Sequence, residues 1–360
     1  MKNKILKVIV VIIIIILIVG IFAYFINKNT KEGTSKMSGY ELKSNINVVA
    51  SLEDEITEDT AWCGTFNLIW NDLKNDLAKQ DIIFTPQLKM VENLNKETFN
   101  TSYLSEESYY KTYGIPSIQL KEKIEKEIKE KFNETSDILD SFDWENAGPE
   151  DYFLYSMLKK EFEFPKQFTE LPNGKFGNYE NVKYFGINSS TDENVREQVE
   201  VLYYNSKDDF AIKLKTKTDD EVIISKGNTQ NTFKEIYEEI QKNNQNYKDN
   251  KALTKNDTLQ IPNIDFNVKK EYEELENNTF KFSNGEEYKI DKTLQTIQFS
   301  LDKKGGKIKS EAGMMVSNSS LLQDKPREFL VNDTFCIFLK EKNKELPYFA
   351  SKISDITKVQ

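Results

Sequence analysis

Histidine is absent from the whole sequence, and cysteine occurs only twice, at Cys63 and Cys336. Without an imidazole, Ser-His-Asp and Cys-His catalysis and every His-ligated metal site are excluded. Basic residues are outnumbered, 49 against 59 acidic, giving a net charge of -10. A chain of that sign does not read as a nucleic-acid binder. The two cysteines are far apart in sequence, which says nothing about their distance; a disulfide and two small buried thiols both stay open. Acidic residues gather at Asp140, Asp143, Glu145, Glu150 and Asp151 around Ala147-Gly148-Pro149. Their spacing has no Ca²⁺-loop pattern, so the stretch reads as a solvated loop. No cofactor and no metal site is read from the sequence.

Apolar residues are in excess at the start. Val8–Ile26 is 19 residues without a charge, enough to span a bilayer, and Lys2, Lys4 and Lys7 precede it. The run is longer than a cleaved signal core, and Gly20–Phe25 is too bulky for a good cleavage site. Residues 1–27 are therefore expected to form a short cytoplasmic tail and an uncleaved transmembrane signal anchor, with the C-terminal part outside the cytoplasm. Residues 28–50 are polar and read as a tether. Residues 51–360 show no composition break and are expected to be one domain.

Within that domain, Thr60–Ala78 reads as a helix capped by Thr60, because Trp62, Phe66, Ile69, Trp70, Leu73 and Leu77 recur at three and four. Ser117–Phe132 reads as a surface helix with a narrow stripe of Leu120, Ile124, Ile128 and Phe132. Beyond Tyr152 the chain turns β-rich. Asn181–Gly186, Val199–Tyr204 and Phe210–Lys215 read as successive strands, and Thr232–Lys242 as a short helix. Near the end, Ile297–Leu301 and Phe329–Leu339 read as strands separated by about 27 residues, far beyond the 4–6 of an ordinary connection. Inside this long loop Gly306, Ile308, Ser310, Ala312, Met314 and Val316 carry no charge, whereas the interleaved set opens with Lys307, Lys309 and Glu311. Alternation of this kind marks a strand with one buried face.

These residues carry a family resemblance. Leu301-Asp302-Lys303-Lys304-Gly305-Gly306 resembles the hinge that leads a core strand of serpins into their exposed reactive loop. Pro326-Arg327-Glu328-Phe329 and Phe335–Leu339 resemble the closing segment, and Tyr348-Phe349-Ala350 the last strand. Asp257–Phe266 is similar to the family's strand that reads apolar-x-(Leu/Ile)-Pro-Lys-Phe. Asp81–Leu88 is similar to its strand-into-helix stretch, with Thr85 for Ser and with Leu88 and Met90 where the family has further Ser. Asp151–Leu158 resembles the central strand, Phe164 or Phe162 standing for a missing Trp, and Gln295 falls where the family often has His. Residues 95–150 match poorly.

The resemblance implies an α+β serpin-like fold: a large mixed or antiparallel central sheet with a cluster of helices and an exposed loop near the C-terminus, here with an N-terminal transmembrane helix. It implies a monomeric protease inhibitor, not an enzyme. A target serine or cysteine protease would cut near Asn318, Ser319, Ser320 or Leu321. The loop would then insert as a strand through the hinge Gly305-Gly306, burying Ile308, Ser310, Ala312, Met314 and Val316. A non-inhibitory surface protein on the same scaffold, and an unrelated binding module, remain the alternatives.

Overall fold

The computed structural model describes residues 45–306 and 326–360. The apolar run Val8–Ile26 lies outside them, as do Ile308, Ser310, Ala312, Met314, Val316, Asn318, Ser319, Ser320 and Leu321. Among the described residues no helix is long and apolar enough to cross a membrane.

The described chain opens with β1 (Asn47–Val48) and β2 (Thr60–Cys63), then α1 (Thr65–Asn71), which widens into a π-helical stretch over Asp72–Ala78. Next come α2 (Lys89–Lys96), β3 (Tyr109–Gly114) and α3 (Ile118–Phe132). α3 starts where Ser117 accepts from the Leu120 N–H and ends where Asn133 turns left-handed, as caps require. The chain continues through β4 (Phe153–Leu158), β5 (Phe162–Glu163), β6 (Thr169–Phe176), β7 (Tyr179–Ile187) and the single turn α4 (Glu193–Arg196). β8 (Val199–Ser206), β9 (Asp209–Lys215), β10 (Asp220–Lys226) and α5 (Phe233–Asn246) follow. Then come β11 (Thr258–Pro262), β12 (Ile264–Glu271), β13 (Thr279–Lys281), β14 (Glu287–Lys289) and β15 (Leu294–Leu301). β16 (Gly305–Gly306), β17 (Glu328–Leu330), β18 (Phe335–Glu341) and β19 (Phe349–Ile353) close the chain.

Seven strands form the largest sheet, in the order β1-β2-β19-β18-β10-β9-β8; four form a second, β17-β11-β7-β6. Both sheets are mixed: β1 with β2 and β11 with β17 are parallel, and the other ladders are antiparallel. The strands nearest the hinge stand apart as two-stranded ribbons, β12–β15 and β3–β4. Most buried apolar residues join one core, whereas Ile124, Ile128, Phe132, Leu139, Trp144, Phe153 and Tyr155 form a separate cluster between α3 and β4. β4 sends Phe153, Tyr155 and Met157 to this cluster, while Leu158 at its end packs against the main core.

The expected large central sheet is therefore divided, and several sequence readings shift. Thr60–Ala78 is a strand followed by a helix. All four residues of β2 are buried, and a short run buried on both faces cannot be told from a helix by periodicity. Asp81–Leu88 is neither strand nor helix. Ile82 and Phe84 are buried and Ile83 is exposed, but side-chain amides stand where a neighbouring strand would. Asn95 Oδ1 accepts from the Ile82 N–H at 3.3 Å and Gln87 Oε1 from the Phe84 N–H at 2.7 Å. The strand that runs into a helix is β2–α1, some twenty residues earlier in the sequence. Asp257–Phe266 is two strands, because the chain leaves β7 at Asn263 and joins β15 from Ile264. Phe329–Leu339 is likewise two strands, β17 and β18. The stretch taken as tether ends inside the fold, since Ile46, Val48, Val49 and Ala50 are buried. Asp140, Asp143, Glu145, Glu150 and Asp151 are all exposed, as a solvated loop requires.

Cys63 and Cys336 are free and buried. Burial pushes the Cys336 thiol up to about 12 and raises Cys63 as well. A thiol reagent at pH 8 is expected to label neither in the native protein and both after unfolding; loss of both thiols without reductant would contradict the structure.

Candidate functional site

The site is the frame that holds the two ends of segment 307–325. Its first side is a tight reversal at the end of β15. The Asp302 N–H donates to the Gly305 carbonyl at 3.3 Å and the Gly305 N–H to the Asp302 carbonyl at 3.2 Å, while Asp302 Oδ1 accepts from the Lys304 N–H at 2.7 Å. Gly305 has φ +128, and a Cβ there would lie 2.3 Å from the Phe162 carbonyl oxygen. Only glycine satisfies both conditions. After this turn Gly305 and Gly306 pair antiparallel with Glu163 and Phe162. The Phe164 and Phe168 N–H groups donate to the Lys304 and Lys303 carbonyls, each at 2.9 Å, and Lys303 bonds Glu170. Phe162, Phe164 and Phe168 are buried beneath the turn, so aromatic packing covers the place where the resemblance lacks its Trp.

β16 therefore sits between the end of β15 and β5. Below it, β15 has β12 as its ladder partner and β4 has β3; no ladder joins β15 to β4 among the described residues. One short segment spans this gap from beneath. Gln295 on β15 donates from Nε2 to the Cys63 carbonyl at 3.0 Å and to Thr65 Oγ1 at 2.9 Å, and accepts from the Tyr272 hydroxyl at 2.6 Å. Ser156 on β4 donates to the Thr65 carbonyl at 2.7 Å. The β2–α1 junction is thus bonded to both ribbons. Gln295 both donates and accepts, the dual capacity expected of it at the family's His position. Thr65 and Ser156 were not singled out from the sequence. The signal was a Gly-Thr pair ending β2, obscured by reading helix across it. Leu88 and Met90 pack at the edge of the core and take no part in this clasp.

A second set of charges fixes the β4–β5 connection to the largest sheet. Lys160 lies 3.0 Å from Asp220 and 2.6 Å from Glu341, and the Tyr348 hydroxyl donates to Asp220 at 3.0 Å. Burial opposes the Glu341 charge. Lys160 and the Ser105 N–H more than offset it and hold the carboxyl below its ordinary value.

The far end of the segment is held by Arg327. Its guanidinium lies 2.8 Å from Asp257, whose side chain is fully buried, and donates to the Tyr247 hydroxyl and to the Asn250 and Ala252 carbonyls. The Arg327 N–H donates to Asp257 Oδ1 at 2.8 Å. Burial works to raise the Asp257 pKa, and Arg327 overcomes it, leaving the carboxyl below its usual value. β17 then adds to the edge of the four-stranded sheet beside β11. Of the residues read as site, Gly305 and Gly306 are brought into this frame; the others lie in segment 307–325. Among the described residues no three His, Cys, Asp or Glu side chains are placed to hold a metal ion.

Two measurements check this frame. Arg327→Ala leaves Asp257 buried without its partner and is expected to cost ~3–5 kcal/mol in urea unfolding at neutral pH. Because the folded pKa of Asp257 is lowered, its contribution is complete above its unfolded value of about 4 and is lost as pH falls through the folded value. The gap between the two proteins should therefore narrow below about pH 4; a gap independent of pH would contradict the pairing. Gly305→Ala should accelerate amide exchange at Phe164 and Phe168 while leaving β18 unchanged.

No known family profile matches the sequence, and no curated protein matches it. Solved structures do. A thermophilic serpin, tengpin, in its native state is 11% identical over 84% of this chain and 90% of its own, with a TM-score of 0.48. Thyroxine-binding globulin in complex with thyroxine is 11% identical over 83% and 93%, with a TM-score of 0.46. A highly specific serpin from the insect Tenebrio molitor is 11% identical over 71% and 78%, with a TM-score of 0.39. This chain is similar to serpins.

Proposed function

We propose that this protein inhibits a serine or cysteine protease as a suicide substrate. The protease cuts within segment 307–325, forming an acyl-enzyme, and the freed loop inserts between β15 and β4 before the ester is hydrolysed. The driving force is strand pairing and apolar burial that the uncut chain cannot yet make. The chain acts by conformation and is not an enzyme.

The observation that carries this reading is β16. Two residues of a strand already pair antiparallel with β5, and Gly305 bridges back to Asp302 just past β15, where among the described residues no ladder joins β15 to β4. If pairing continued in the same register, residue 308 would fall opposite Phe299 and Lys160, residue 310 opposite Ile297 and Leu158, and residue 312 opposite Gln295 and Ser156. Phe299, Ile297 and Gln295 are buried, so the uncharged set Ile308, Ser310 and Ala312 would face inward without a desolvation penalty. Lys307, Lys309 and Glu311 would share the face on which Ser300 and Gln298 are exposed. Ala312 would arrive beside the Gln295–Thr65–Ser156 clasp, so insertion has polar contacts to rearrange as well as a gap to fill. We further propose that the run Val8–Ile26 anchors the protein, as a monomer, to a cell membrane with this domain outside the cytoplasm. The anchor would hold the inhibitor near surface substrates.

The second reading is a non-inhibitory surface protein on the same scaffold. Ile308, larger than the small residues that an inserting strand takes easily, favours it. Nicking the loop with a broad-specificity protease and following thermal unfolding separates the two. Insertion predicts a rise of tens of degrees and a covalent complex with a suitable protease that survives denaturant. An unchanged transition, with the nick mapped to 318–322, would falsify inhibition by insertion.

A further inference from the structure

Lys160 places an amine inside the fold between two carboxylates. Its side chain is 11% exposed, those of Asp220 and Glu341 2% and 6%, and Nζ lies 3.0 Å from Asp220 Oδ1 and 2.6 Å from Glu341 Oε1. Asp220 and Glu341 are cross-strand partners on β10 and β18, so their side chains leave the sheet on one face. Tyr348 closes the site. Its ring centroid is 5.4 Å from Nζ, and its hydroxyl donates to the same Asp220 oxygen at 3.0 Å. Burial raises that phenol well above its ordinary value, so it stays a donor.

The two carboxylates are not equivalent. Glu341 Oε1 accepts from the Ser105 N–H and the Ser105 hydroxyl, each at 2.8 Å, and from the Ser108 hydroxyl at 3.4 Å. These donors favour its charged form and remain if Lys160 is neutralised. Asp220 has the Tyr348 phenol on Oδ1 and the Thr218 hydroxyl on Oδ2, the latter at 3.2 Å. A phenol on a carboxyl oxygen stabilises the negative charge that builds there when a nucleophile adds to the carbon.

One cation and two anions are buried together, and each loses hydration that its partners only partly restore. Lys213 shows the contrast. It lies 3.0 Å from Glu200 and 3.2 Å from Glu221, but those side chains are 19%, 30% and 14% exposed, and Lys340 gives Glu221 a second cation at 2.8 Å. The set around Lys160 is drier and one cation short.

We infer that Lys160 and Asp220 join in an intramolecular isopeptide bond, which the fold makes for itself with Glu341 as proton carrier. Glu341 takes one proton from the ammonium, and the neutral amine adds to Asp220 Cγ. Tyr348 holds the charge that develops on Oδ1. The bond from Cγ to Oδ2 then breaks, and Oδ2 leaves as water with two of the three ammonium protons, handed on in turn by Glu341. The third stays on the amide nitrogen, and Glu341 ends as a carboxylate held by Ser105 and Ser108. An ammonium and a carboxylate thus become a neutral amide, which removes both charges from the interior. Fixed juxtaposition supplies the effective concentration that the same groups lack in water. The bond ties the β4–β5 connection to β10 in a chain whose two cysteines are free, and it stands whether or not the loop inserts.

Peptide mass tests this on the full chain, folded, then denatured and digested with trypsin. A lysine in an amide is not cut, so peptides 160–166 and 218–226 are expected as one species, lighter than their sum by one water. Asp220→Asn should give a linked species of the same mass, because ammonia then leaves instead. Asp220→Ala should release its 218–226 peptide free. Glu341→Gln keeps an acceptor for Ser105 and Ser108 but carries no proton, and most of its chains should stay unlinked. Cleavage after Lys160 with a free 218–226 peptide, in wild-type protein that unfolds cooperatively, overturns the inference whatever the variants do. Linkage of Lys160 to the peptide that holds Glu341 overturns the choice of Asp220, and full linkage in Glu341→Gln overturns the proton carrier.

Discussion

A strand edge inside a protein carries a row of backbone N–H and C=O groups that must find partners. The β15 and β4 edges face this constraint together, since among the described residues each has a ladder on its outer side and none joins it to the other. The arrangement around them manages the resulting tension. β16 closes the hinge end of the gap with two residues, and the β2–α1 junction spans it from beneath through Gln295, Thr65 and Ser156. α3 and Trp144 cover β4 from the other face with a core of their own. The polar contacts that tie the two ribbons together are worth about 1 kcal/mol each. A full additional strand would offer many more.

What makes such a state durable is the fixity of the two ends. The hinge is set by a glycine that no other residue can replace without meeting the Phe162 carbonyl. The far end is set by an arginine whose charge is committed to a buried carboxylate. The first device is steric and allows the chain to reverse; the second is electrostatic and prevents it from leaving. Lys160 keeps the β4–β5 connection locked to the largest sheet through Asp220 and Glu341.

Much of this was legible in the sequence, and the reasons for the exceptions are specific. Gly305-Gly306 and Pro326–Phe329 were read as hinge and closing segment from the family resemblance alone; the Arg327–Asp257 ion pair joins residues distant in sequence and had no local signal. α3 and α5 were found because one face of each is apolar at helical spacing. β2 was misread as helix because Thr60-Ala61-Trp62-Cys63 is buried on both faces and so has no alternation to reveal. Ile82–Phe84 alternates like a strand, yet the amides of Asn95 and Gln87 take the hydrogen bonds that a neighbouring strand would. No local pattern distinguishes those two cases. β6 escaped because it carries Pro172 and Gly174 in an exposed, bulged ladder. The clasp escaped because Gln295, Thr65 and Ser156 are distant in sequence and each is ordinary alone.

The order of strands in the largest sheet bears on how the protein is made. β19 and β18 lie in its middle, between β2 and β10, although they follow every other strand of that sheet in sequence. A ribosome-bound chain therefore holds both flanks of that sheet and lacks its centre until residues 335–353 emerge. Until then Trp62, Val222 and Ile224 lack their ladder partners Ala350, Leu339 and Ile337.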